Sequence, residues 1–134
     1  MKKAIVGISA LVLILAAVSQ DWAYAAQNGM VKVAVASTGK TAAASVSNVA
    51  AHSPYYLIFD GTGKLTEVIS NPHQDTEPGA GPSAAHYLAA KGVSIVISEN
   101  FGIKMINALK GNRIKHFELK GQVAEAVSKV LELK

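Results

Sequence analysis

From Met30 to Ser37 valines at 31, 33 and 35 alternate with Lys32, Ala34 and Ala36, the period-two signature of a half-buried strand. Tyr55–Asp60 (YYLIFD) is apolar enough for a strand covered on both faces. Asp60-Gly61-Thr62-Gly63 is turn chemistry, and Lys64–Ser70 returns as an antiparallel third strand. Beyond a loop punctuated by Pro72, Pro78, Gly79 and Gly81, the spacing predicts a helix opened by Pro82 or Ser83 and ended at Lys91. Gly92 fits the left-handed position after it. Val93–Ser98 reads as a strand, and a short helix from about Ile103 to Lys110 follows, closed by Gly111. Arg113–Glu118 is the last strand. Val123, Val127, Val130 and Leu131 then recur at helical spacing within Gln122–Glu132.

The order β-β-β-α-β-α-β-α describes a three-strand meander feeding βαβ units. Right-handed crossovers put helices on both faces of the sheet. The simplest arrangement is an α/β fold with a five-stranded mixed sheet in the order 3-2-1-4-5, in which only the second strand is antiparallel. Between the first two strands, Thr38–Ser53 is a loop of small residues, with a helical turn expected near Ala42–Ser45.

The opening of the chain has another pattern. Met1-Lys2-Lys3 precedes an uncharged stretch, Ala4–Gln20, and then Ala23-Tyr24-Ala25. A basic start, a short apolar middle and an A-x-A end are the parts of a secretory signal peptide, so residues 1–25 are expected to direct export to the periplasm or another extracytoplasmic space. The apolar stretch lies at the short limit for a spanning helix, and membrane association is expected only if the segment stays uncleaved. Cleavage leaves roughly 110 residues, enough for one domain, here 30–134, but not two.

Composition narrows the chemistry. The formal net charge is +4, spread without a Lys/Arg cluster, which suits an anionic ligand and gives no case for nucleic acid. The chain has no cysteine, so disulfides, thiolate metal ligation and cysteine nucleophiles are excluded.

Three enzyme motifs are approached and not met. Gly39-Lys40-Thr41 after a strand suggests a phosphate loop, but the opening glycine of that motif is replaced by Ala34, inside the strand itself. Asp60 starts a hairpin, so it does not supply a magnesium ligand at a parallel strand end. The strand order is that of RNase H, yet two-metal chemistry needs several carboxylates around ions about 4 Å apart, and the first strand carries none. Gly-x-Ser-x-Gly is absent. The chain is therefore expected not to be an enzyme.

Ligands of open α/β sheets favour the carboxyl ends of parallel strands. Four segments meet at that edge: Thr38–Ser53 with Gly39, Lys40 and His52; Asn71–Gly81 with His73; Glu99–Gly102 with Asn100; and Glu118–Gly121 with Lys120. In Glu77–Ser83 (EPGAGPS), Gly79 and Gly81 precede a helix start, and Asn100-Phe101-Gly102 repeats the arrangement. Helix starts of this kind present free N–H groups to an anion, although glycines also serve plain tight turns. His86, in a helix, and His116, in a strand, read as structural. His52 and His73 lie in edge loops, as metal ligands or as solvated side chains.

Several stretches together resemble the dinitrogenase iron–molybdenum cofactor biosynthesis family, small carriers of iron–molybdenum and related metal–sulfur clusters. They are VKVAVASTGK, SPYYLIFD, NP followed by GAGPSAAHYLAAKGVSIVI, FGIKMINALKGNRIKHFEL, and GQVAEAV. The resemblance implies an RNase H-like three-layer fold and accounts for the glycine-bearing turn after the first strand without a nucleotide. It implies a non-enzymatic carrier whose cargo is a metal–sulfur cluster or oxoanion. Combined with the sheet-edge reading above, the cargo is expected at Gly39, Lys40, His52, Gly79, Gly81, Asn100 and Gly102, with His52 and His73 as candidate metal ligands. Two departures stand out. The family's Ser-x-His-Phe-Gly-Arg-type segment is here Ser47-Asn48-Val49-Ala50-Ala51-His52, with the histidine three places later. The export signal is the other. The alternative reading is a protein-interaction or regulatory module, with a periplasmic protein partner, that kept the fold and lost the pocket. A flat apolar surface around Tyr55 and Tyr56 would favour it.

Overall fold

The computed structural model describes residues 31–133; the expected signal segment lies outside them. Five strands, β1 (Lys32–Ser37), β2 (Tyr55–Asp60), β3 (Leu65–Ser70), β4 (Ile95–Ser98) and β5 (Lys115–Glu118), form one sheet in the order β3-β2-β1-β4-β5. Strand β1 pairs antiparallel with β2, from Lys32↔Asp60 to Ser37↔Tyr55, and parallel with β4. The three helices are α1 (Ala80–Ala90), α2 (Ile103–Gly111) and α3 (Val123–Leu133). The expected three-layer α/β architecture and strand order are those observed.

Alternation along the strands divides the core in two. One face sends Ala34, Ala36, Tyr56, Ile58 and Val96 against Ala84, Ala85 and Leu88 of α1 and Met105 and Leu109 of α2. The other sends Val33, Val35, Leu57, Phe59, Ile95 and Ile97 against Val123, Ala126, Val127 and Val130 of α3. Small residues on β1 face the two-helix layer and valines the single helix. Burying each large apolar side chain contributes about 1.5–3 kcal/mol.

Local expectations were met unevenly. Asp60 opens the hairpin as expected: its carboxylate accepts from the Thr62 amide and hydroxyl and from the Lys64 amide. The Thr62 hydroxyl above all, with these amides, holds its pKa below the usual value. Helix α1 starts two residues before Pro82, because Gly79 at φ 92° turns the chain directly into it. Gly111 is the last residue of α2 but not its left-handed cap: Asn112 caps the helix, and the left-handed residue is Arg113, at φ 60°.

One buried polar group ties the sheet to the loop ahead of it. The Tyr56 hydroxyl is fully buried and donates to the Ala50 carbonyl at 2.7 Å. Burial pushes the phenol pKa well above its ordinary value, so Tyr56 stays a neutral donor. The folded chain therefore keeps a proton that the unfolded chain releases above about pH 10. Stability from this group is intact below that pH and falls as pH rises through it. Tyr56→Phe should lose about 1–3 kcal/mol in urea unfolding at pH 7, because the Ala50 carbonyl keeps only the long bond from Ser53 N, at 3.4 Å. The variant should also lose less stability than the parent between pH 9 and pH 11, and equal pH slopes would contradict this assignment.

Candidate functional site

All three helices begin beyond the same sheet edge, where β1, β3, β4 and β5 end and β2 starts. The β1–β2 loop is laid across that edge as a ladder. Ser47 N donates to Ala36 O, Val46 N to Gly121 O, Glu99 N to Ser47 O and Ala50 N to Asn100 O. Its carbonyls also cap α3, since Val123 N and Ala124 N donate to Ala44 O and Ala42 O.

The starts of α1 and α2 are treated differently. Neither Gly79 nor Gly102, the N-cap residues, offers a side-chain acceptor. Among the described residues the amides of Ala80, Gly81, Ile103 and Lys104 have no acceptor within the protein. Both starts open on one cavity of about 400 Å³. Its walls include His52, Glu77, Gly79, Gly81, Gly102 and Lys104, with Val49 and Ile103 as apolar flanks. Each helix start carries a partial positive charge, and the Lys104 ammonium adds to it. The arrangement suits an anion too large for a single helix start.

A polar hub fixes the rim. Asn71 is buried; its amide nitrogen donates to Ala51 O at 2.9 Å and Ser53 O at 2.8 Å, and its side-chain oxygen accepts from His73 N. Those contacts bind the loop carrying His52 to the loop carrying Glu77 and Gly79. On the rim itself, His52 Nδ1 lies 2.8 Å from Gln74 O and Nε2 lies 3.1 Å from Glu77 Oε1. A carbonyl only accepts, so Nδ1 carries a proton and Nε2 is the nitrogen turned to the carboxylate.

Of the residues expected from sequence, the cavity gathers His52, Gly79, Gly81 and Gly102. It does not include Gly39, Lys40, His73 or Asn100. Gly39 sits in a tight turn closed by Ser37, where a Cβ would meet Ala44 Cβ at 3.1 Å. The Lys40 ammonium lies over the Tyr55 ring, 5.7 Å from its centroid. His73 stacks edge-on to Tyr87 in α1, and Asn100 donates to Asn48. Gly81 has a structural reason as well: a Cβ there would meet Met105 Cβ at 3.0 Å and its backbone N at 3.2 Å, so it lets α1 and α2 touch. Tyr56 is buried and Tyr55 half-covered.

Glu77 and Lys104 were missed. Glu77 stands two residues before Gly79, and Lys104 is the second residue of a helix, but nothing in their spacing places them across one hollow. Among the described residues no three His, Asp or Glu side chains converge as a metal site.

Residues 31–133 match the family described as dinitrogenase iron-molybdenum cofactor. No curated protein matches the chain. Among solved structures the chain is similar to the apo form of the orange protein from Desulfovibrio gigas, with 27% identity and a TM-score of 0.71 over 75% of this chain and 87% of that one. It is also similar to a protein from Thermotoga described as a candidate NifB protein of the DUF35 family, with 32% identity, a TM-score of 0.65 and the same two coverages. A candidate dinitrogenase from Methanocaldococcus jannaschii, 18% identical with a TM-score of 0.52 over 75% of this chain and 88% of that one, shares the fold.

Asn71→Ala should cost about 2–3 kcal/mol, because two buried carbonyls and one amide lose their partner. Chemical denaturation measures the loss. Amide exchange should quicken first in residues 50–53 and 71–79, and uniform quickening would argue against a local hub.

Proposed function

The chain belongs to the dinitrogenase iron–molybdenum cofactor family, and we propose that it is a non-enzymatic carrier of an anionic metal–sulfur cluster or related oxoanion. The observation that carries this reading is the unequal capping of the helices. The loop covers the start of α3, while the starts of α1 and α2 keep free amides turned to one cavity. An anion there meets backbone donors at the positive ends of two helix dipoles, with Lys104 beside them.

The residues fit a cargo of this class. With no cysteine in the chain, a metal–sulfur cluster would bring its own sulfur and be held from outside by amides and Lys104, beside His52 on the cavity wall. The volume lies within the range of small-molecule sites, about 300–1,000 Å³. No serine, threonine or cysteine lines the cavity, and the reading assigns the site retention and release of cargo.

We place this carrier outside the cytoplasm, on the strength of the basic, apolar and A-x-A segments ahead of the domain. Intact-mass measurement of the protein from separated cell compartments tests this: a chain lacking residues 1–25 is expected in the extracytoplasmic fraction, and a full-length cytoplasmic chain would contradict it.

A second reading, a protein-interaction module, draws on Ile103 and Val49, which are 69% and 40% exposed at the cavity wall. One substitution separates the two. Gly102 has an extended backbone and open space around its α-carbon, so aspartate fits there and is a favourable N-cap. Gly102→Asp should keep or slightly raise stability while placing a carboxylate over the amides the cargo needs. Tetrathiomolybdate binding by the full chain, followed by equilibrium dialysis, should weaken about tenfold or more. Unchanged binding, or none by the parent, would remove the carrier reading and leave the interaction module.

A further inference from the structure

The rim holds a pairing that the anion site does not require. Glu77 places a carboxylate beside a hollow suited to negative charge, where it opposes the cargo. With Nδ1 committed as donor to the Gln74 carbonyl, His52 turns the lone pair of Nε2 toward Glu77 Oε1 at 3.1 Å. Two lone-pair atoms at that separation need a positive species between them: a proton, or a metal ion. A backbone carbonyl on the far nitrogen of a histidine is also one of the common ways a protein orients a metal-binding imidazole.

The separation suits a metal. Bond lengths of about 2.0–2.2 Å to nitrogen and oxygen, at angles of about 90–110°, put the two donor atoms about 2.9–3.4 Å apart. Imidazole with carboxylate selects borderline divalent ions such as Co²⁺, Fe²⁺, Ni²⁺ and Zn²⁺. The two side chains are 39% and 72% exposed, so the outward coordination positions are open. Among the described residues no third His, Asp or Glu completes the set. The remaining positions therefore fall to water or to the cargo itself.

We propose that His52 Nε2 and Glu77 Oε1 form a two-ligand seat for a borderline divalent cation, whose coordination is completed by the anion held at the starts of α1 and α2. The seat stands on the rim geometry alone; the coupling to an anion rests on the carrier reading above. The cation turns Glu77 from an opponent of the cargo into an indirect ligand for it. Cation and anion then each tighten the other by the same factor.

Titration of the full chain with Co²⁺ at pH 8, followed by calorimetry and by the visible absorption of the ion, tests the seat. One Co²⁺ is expected per chain. His52→Ala and Glu77→Gln should each weaken it at least about tenfold, whereas His86→Ala, an exposed histidine on α1, should not. Glu77→Gln keeps the size and hydrogen bonding of the exposed side chain, so circular dichroism should report an intact fold. Binding by Glu77→Gln within twofold of the parent would overturn the seat. Molybdate should tighten Co²⁺ binding in the parent and not in Glu77→Gln; the same Co²⁺ affinity with and without molybdate would overturn the coupling. Failure of the carrier reading has a different signature: tetrathiomolybdate without metal would not bind the parent, while Glu77→Gln would still lose Co²⁺.

Discussion

The candidate site depends on where this mixed sheet sends its helices. In this strand order β1, β3, β4 and β5 all end at one edge, and each of the three helices starts just beyond it. Right-handed crossovers leave little freedom in that outcome. A helix start is a concentration of unpaired amides with a partial positive charge, and the fold collects three of them within one small region. Something must satisfy or exploit each one.

The chain answers differently on its two faces. On the single-helix face the long β1–β2 loop bends over the edge and gives Ala42 and Ala44 carbonyls to α3. On the two-helix face the same loop turns back through Val49, Ala50 and His52, where Tyr56 and Asn71 catch its carbonyls. The loop thus stops short of α1 and α2, and a hollow remains. Buried donors from Tyr56 and Asn71 matter because an unpaired carbonyl in that place would cost about as much as a lost hydrogen bond. The rigidity of the rim and the openness of the hollow have one origin.

Glycine serves two ends here. Gly79 takes a left-handed conformation that brings the chain sharply into α1, and Gly81 lets α2 come within contact of α1. Both would be needed if nothing ever bound. Gly102 is different, since its surroundings are open and its backbone is ordinary. Its lack of a side chain leaves the amides of α2 uncovered, where Asp, Asn, Ser or Thr would usually cover them.

Much of the architecture was legible in the residues themselves. Alternation in Val31–Val35, the apolar run Tyr55–Phe59 and the helical spacing of Val123–Val130 gave strands, helices and the sheet order, because periodicity is a local property that burial enforces at every turn. Local signals misled where tertiary contacts overrode them: Pro82 is the third residue of α1, not its opening, and the left-handed position after α2 falls to Arg113, with Gly111 as the last helical residue. The loop residues at the sheet edge divided likewise. His52, Gly79, Gly81 and Gly102 line one hollow, while Gly39, Lys40, His73 and Asn100 serve turns, stacking and loop stapling. Sequence by itself determined, through strand order, the edge at which the helix starts gather. Only the tertiary structure decided which side chains face the hollow, and it added Glu77 and Lys104, because the path of an irregular loop follows from hydrogen bonds to partners many residues away and leaves no period to read.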